Sequence, residues 1–114
     1  YLHLKHRNGL ETWSRSGGDS IKKGNSVSYD FTSGSSQAFG NNEILVGSKY
    51  CIYSGDVFQD GSVELTDLLL TYNGASEFLS GYVVYDVNGD YLVDLNDILT
   101  VYNNSSSFVA IVRP

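Results

Sequence analysis

The stretch Asp86-Val87-Asn88-Gly89-Asp90-Tyr91-Leu92-Val93-Asp94-Leu95-Asn96-Asp97 decides how this chain reads. Its side-chain oxygens stand at loop positions 1, 3, 5, 9 and 12, on Asp86, Asn88, Asp90, Asp94 and Asp97. Position 7, Leu92, is where a backbone carbonyl completes the shell of a hard cation. Such cations want roughly six to eight oxygens, and few other needs place so many carboxylates in so short a turn. Thirty residues earlier the chain does the same, with Asp56, Asp60, Glu64 and Asp67 at positions 1, 5, 9 and 12 and Ser62 at position 7. Two cation loops are expected, and the spacing favours Ca2+.

The loops belong to a longer duplication. A shift of 30 residues gives 11 identities over 29 aligned pairs without a gap, among them Val57/Val87, Leu65/Leu95, Tyr72/Tyr102 and Phe78/Phe108. After each loop the apolar residues take helical spacing: Leu65, Leu68, Leu69 and Tyr72, then Leu95, Ile98, Leu99 and Tyr102. Each unit reads as loop, helix and β-prone tail. Asn73-Gly74 and Asn103-Asn104 are the expected helix stops, because Gly and Asn tolerate a left-handed backbone.

Asp86-Val87-Asn88-Gly89-Asp90 followed by Asp94 and Asp97 resembles the dockerin repeat, a bacterial variant of the EF-hand calcium loop. Dockerins carry Asp at position 12 and lack the helix that enters the loop. Both points match here, since Ser54-Gly55 and Tyr82-Val83-Val84-Tyr85 do not read as helix. The resemblance covers residues 54–114. It implies calcium ligation by both loops and a receptor-binding face on the helices at Thr66, Leu70 and Thr71, with Asn96, Thr100 and Val101 in the second unit. The preceding stretch is similar to C-terminal regions of secreted bacterial surface proteins, where a small β-module runs into such a pair. It holds Lys5-His6-Arg7-Asn8, Glu11-Thr12-Trp13-Ser14 and Tyr50-Cys51-Ile52-Tyr53.

Each loop departs from its pattern. Phe58 stands at position 3 of the first, which removes a side-chain ligand, so the second loop is expected to bind calcium and the first either to bind more weakly or to be a degenerate loop kept for packing. Tyr91 occupies position 6 of the second, where Gly makes a sharp turn with positive φ. A non-Gly residue there costs about 1 kcal/mol.

Charge divides along the chain. Residues 1–50 hold six basic and four acidic residues; residues 51–114 hold one basic and nine acidic, and the whole carries −6. Eight of the 13 acidic residues lie in the two loops, where without metal they repel. That balance argues against nucleic acid, and no apolar run approaches the length of a membrane span. The chain opens at Tyr1 in strand-like sequence with no signal peptide, as expected of a processed form.

Residues 1–53 read as a small antiparallel β-module, an incomplete sandwich, with β-prone runs at 1–8, 10–15, 27–31 and 44–53. Asn8-Gly9 signals a two-residue hairpin turn between the first two. His3 and His6 fall on opposite strand faces and are poor co-ligands. Trp13 reads as a core or contact anchor, and Cys51, the lone cysteine, as a small buried apolar residue. The fold class expected is α+β: the β-module followed by two dockerin-like calcium loop–helix repeats at 54–114.

No catalytic grouping of residues is visible, and an enzyme is not expected. Three non-enzymatic readings stand. One is an extracellular, cell-surface structural subunit that assembles with copies of itself, its shape fixed by Ca2+. Another is a docking module for a cohesin-like receptor on another secreted protein. A spacer without a partner of its own is the third possibility. The apolar tail Phe108 to Val112 either completes its own sheet or adds to a neighbour's edge. Asn103-Asn104-Ser105 and Asn104-Ser105-Ser106 match N-glycan acceptor triplets, and Asp19-Ser20-Ile21 an O-linked one.

Overall fold

A computed structural model describes all residues, 1–114, and is of the α+β class. Two helices, α1 (Leu65–Ser76) and α2 (Leu95–Ser106), each 12 residues long, follow directly from the two acidic loops. Both start on the same device. Asp67 and Asp97, third in their helices, each accept the backbone N–H of the N-cap residue, Glu64 or Asp94, at 2.9 Å.

The helix ends differ from expectation. Asn73-Gly74 and Asn103-Asn104 lie inside the helices, which run on to Ser76 and Ser106. Packing keeps them there. A Cβ on Gly74 would sit 3.0 Å from the Tyr85 ring, and the Asn104 amide donates to the Ser54 carbonyl at 2.7 Å. The left-handed residues that end the helices are Phe78 (φ 55°) and Phe108 (φ 53°). Their N–H groups bond to the Ala75 and Ser105 carbonyls, while Leu79 and Val109 bond to those of Gly74 and Asn104, which is a Schellman closure in both units.

The apolar stripe that reveals the helices is not their buried face. Asp67, Thr71 and Gly74 are buried in α1, and Asp97, Val101 and Asn104 in α2. The reason is geometric: once the last loop carboxylate must point into the loop, residues four and seven positions on share its face. Leu65, Leu69 and Tyr72 therefore look outward, as do their counterparts Leu95, Leu99 and Tyr102.

The two units brace each other crosswise. Val63, leaving the first loop, donates to the Val109 carbonyl at 3.0 Å, and Ile111 donates to Gly61 at 2.8 Å. Equivalently, Val93 donates to Leu79 at 3.0 Å and Gly81 to Tyr91 at 2.8 Å. Each loop exit is thus paired with the segment that follows the other helix, and the tail after α2 completes its own molecule.

The first half holds two separate two-stranded antiparallel sheets in place of one four-stranded module. Strands β1 (His3–Leu4) and β2 (Thr12–Trp13) pair His3 with Trp13. Asn8-Gly9 is not a tight turn at their end; the segment between the strands folds inward, Leu10 donating to the Tyr53 carbonyl and Gly55 to that of Asn8. Strands β3 (Ile44–Val46) and β4 (Lys49–Cys51) split the expected run at Gly47-Ser48, where Gly47 has φ 63°. Residues 27–31 form no strand, because Asp30 takes the Thr32 N–H and hydroxyl and starts a 3-10 turn at Phe31–Ser33. Cys51 is exposed, contrary to expectation, and lines an open groove between the hairpin and Thr100, Asn103 and Asn104 of α2.

The core is small. Leu10, Val63, Val101 and Val109 are buried together, with Tyr53, Leu68, Val87 and Ile111 packed against them. Leu10 and Tyr53 come from the first half and the others from the second, so the core joins the two. The molecule is elongated, 48 × 28 × 27 Å.

Candidate metal centre

In each loop the chain turns back on its own first aspartate. Asp56 accepts N–H groups from Asp60 and Gly61, both at 3.1 Å. Asp86 accepts from Gly89, Asp90 and Tyr91 at 2.8–3.2 Å. The last aspartates close the loops from the helix side: Asp67 accepts the Phe58 N–H at 3.0 Å, and Asp97 those of Val87 and Asn88 at 2.9 and 3.3 Å. Two left-handed residues per loop make the curl possible, Gln59 and Gly61 in the first, Gly89 and Tyr91 in the second. The positive φ expected at Tyr91 is present, at 69°.

The result is two matching carboxylate groups. Asp56, Asp60 and Asp67 bring oxygens within 4.8 Å of one another, as do Asp86, Asp90 and Asp97. In each group the first and last aspartates are buried and the middle one is exposed. No lysine, arginine or histidine forms an ion pair with any of the six. Burial pushes the Asp56 carboxyl above its ordinary range; the charges of Asp67 and Asp60 add to this, while the Gly61 and Asp60 N–H groups oppose it. Like charges held this close in partial burial repel, and each group could hold a metal ion. The donors are all oxygen, with Cys51 exposed elsewhere and both histidines engaged in other contacts, so a hard divalent ion fits them.

The remaining expected ligands lie around these groups. The Asn88 side-chain Oδ1 accepts the Asp90 N–H at 3.0 Å, and the Ser62 hydroxyl donates to Asp60 at 3.2 Å. Glu64 and Asp94 occupy the helix N-caps outside the two carboxylate groups, the Asp94 side chain accepting the Asn96 N–H. Ser62 and Leu92, at position 7, form the isolated bridges to Ala110 and Ser80. Phe58 is exposed and adds no oxygen to the first loop. Lys5, Glu11 and Arg113 line a small cleft shared with Asp56 and Asp60, and Arg113 is paired there with Glu11 at 3.0 Å.

Two contributors escaped the sequence reading. Asn8, fully buried, donates from its amide to the Val84 and Asp86 carbonyls at 2.9 and 2.8 Å. Gln59 donates to the Asp56 and Gly9 carbonyls at 2.6 and 3.3 Å. Together they clamp the first residue of each loop to the turn after β1. An Asn-Gly pair in sequence signals a turn and carries no sign of this long-range role. His3 stacks on Trp13 at 4.5 Å between centroids and pairs with Glu11, while His6 bonds Asn8, so neither histidine faces the carboxylates. Thr71 and Val101, placed on a receptor face by the dockerin resemblance, are fully buried and are not available to a partner. No family model matches the chain, and neither curated proteins nor solved structures give a match.

Proposed function

We propose that this chain is a non-enzymatic, extracellular calcium-binding structural protein, a self-assembling surface or filament subunit whose fold Ca2+ stabilises. The observation that carries the calcium reading is the pair of convergent carboxylate groups, each half-buried and without a cationic partner. Asp86, Asn88, Asp90, Asp94 and Asp97, with the Leu92 carbonyl, would hold the ion of the second loop. Asp56, Asp60, Glu64 and Asp67, with the Ser62 carbonyl, would hold that of the first. The ion would neutralise the loop charge and lock the start of the following helix, since Asp67 and Asp97 belong to both. Self-assembly is supported by the exposed apolar face of α1 and α2. That same face supports the second reading, a dockerin-like module for a cohesin-like receptor.

Calorimetric titration with Ca2+, with light scattering before and after a chelator, tests the proposal. Two binding events are expected, the tighter lost in Asp90→Ala, an exposed position whose removal leaves the metal-free fold intact. Phe58→Asn restores a ligand and should tighten the weaker event by about tenfold or more. Absence of heat on titration, with melting unchanged by chelator, overturns the calcium reading. Monomers in calcium overturn self-assembly and favour the docking module.

A further inference from the structure

We infer that the outward face of α1 and α2 is the contact surface of a symmetric dimer of this chain; this rests on the self-assembly reading above and names its surface. A groove between the helices is lined only by apolar and aromatic side chains: Leu68, Leu69, Tyr72, Ile98, Leu99 and Tyr102. It continues past Tyr102 to Leu65 and Phe108, which lie together at one end. The internal repeat places Leu95 and Phe78 at the other.

Exposure on this face is matched pair by pair: Leu65 and Leu95 at 64%, Tyr72 and Tyr102 at 57 and 53%, Phe78 and Phe108 at 89 and 90%. The four aromatics alone offer on the order of 600 Å², taking ~200 Å² for a whole side chain. The leucines carry the face past the roughly 800 Å² per partner of a standard interface, and beyond the few hundred that soluble monomers tolerate. Phe78 and Phe108 add an independent sign. Each sits at left-handed φ, where glycine is favoured, and each projects almost wholly into solvent. The left-handed turn closes each helix, but an exposed phenylalanine in place of glycine gives an isolated monomer nothing, yet both units carry one.

A second copy is the occupant that fits. An isologous contact buries the same patch on both sides. Here α1 and α2 present the same residue types, so any helix pairing across the axis meets like with like. No charged side chain lines the central groove, because Asp67 and Asp97 point the other way into their loops; Glu64 lies only at the end where the groove reaches Leu65 and Phe108, so two copies meet across an uncharged centre. The chain's own tail is already paired with the first loop and cannot cover the groove. An anionic lipid surface is disfavoured by the charge of residues 51–114, nine acidic against one basic.

Sedimentation velocity of the full chain in calcium, over about 1 to 100 µM, tests this. The wild type is expected to show concentration-dependent doubling of mass. Leu69→Glu with Leu99→Glu should leave monomers at every concentration with an unchanged circular dichroism spectrum. Phe78→Gly with Phe108→Gly should weaken the dimer at least about tenfold while the monomer melts no lower, because the strain at φ > 0 is relieved. That opposite pair of effects separates lost contact from lost folding. A wild type monomeric at 100 µM, or a dimer indifferent to both variants, overturns the inference. Polymers that survive Leu69→Glu/Leu99→Glu overturn it while leaving self-assembly standing through another surface. A dimer sensitive to both variants that binds no calcium supports it and sinks the calcium reading alone.

Discussion

Tyr91 holds a conformation that glycine holds in the equivalent place of the first loop. Its φ is 69° against 92° at Gly61, and its side chain is mostly exposed, so little packing is lost on truncation. The N–H that Tyr91 gives to Asp86 belongs to the backbone and survives substitution. Tyr91→Gly should therefore stabilise the calcium-loaded chain by up to about 1 kcal/mol, read as a rise in melting temperature of a few degrees. Glu43 is the opposite case, a residue whose strain is electrostatic. It is 6% exposed, neither carboxylate oxygen has a hydrogen-bond partner, and burial with the nearby Asp30 charge pushes its carboxyl from 4.5 up to about 7. A raised folded-state value means that the protonated form favours folding. Its contribution is whole below 4.5 and is lost as pH rises through about 7. Thermal melts of wild type and Glu43→Gln across that window check it: the wild type should lose ground to the variant steadily as pH rises. Equal slopes would remove Glu43 from the pH dependence.

The elements show where sequence is a good guide and where it is not. Helix starts were legible because one local rule sets them: Asp67 and Asp97 close the loop and cap the helix at once. The convergence of three carboxylates per loop was legible for the same reason, being a matter of spacing within a dozen residues. Helix ends were not, since Gly74 and Asn104 stay helical through contacts with Tyr85 and Ser54, and phenylalanine takes the left-handed turn usually given to glycine. The strands were legible only in part. Their propensity was visible, yet with no adjacent partner the 27–31 run fails to pair and the 44–53 run doubles back at Gly47. The turn Arg7 to Leu10 was misread altogether, because its shape is decided 76 residues away, where Arg7 and Asn8 bond the Val83 and Val84 carbonyls. Asn8→Ala removes the amide from two such carbonyls and should cost about 1–3 kcal/mol in urea unfolding. A change below about 0.5 kcal/mol would show that water replaces the amide readily.

At the scale of the whole molecule, charge and shape oppose each other. Residues 51–114 carry nine acidic groups against Arg113, and the small core has few apolar side chains to resist their repulsion. Chelation should therefore expand the chain beyond its 15.1 Å radius of gyration, seen by small-angle X-ray scattering. Raising ionic strength from about 0.01 to 0.15 M should reverse part of that expansion, as the Debye length falls from about 30 to 8 Å. An unchanged radius in chelator at low salt would show that packing alone holds the loops shut. The crosswise bonds between loop exits and tails carry a different consequence. One loop–helix unit by itself has no segment to close its own exit: Val63 needs Val109, and Val93 needs Leu79. A half-length peptide would have to find a twin and exchange tails with it, at a rate set by concentration. Joining two such halves in one chain turns that encounter into an internal one, at an effective concentration of order millimolar. Duplication here is thus a covalent dimerisation, and cutting the link between the repeats would restore the dependence on concentration that it removed.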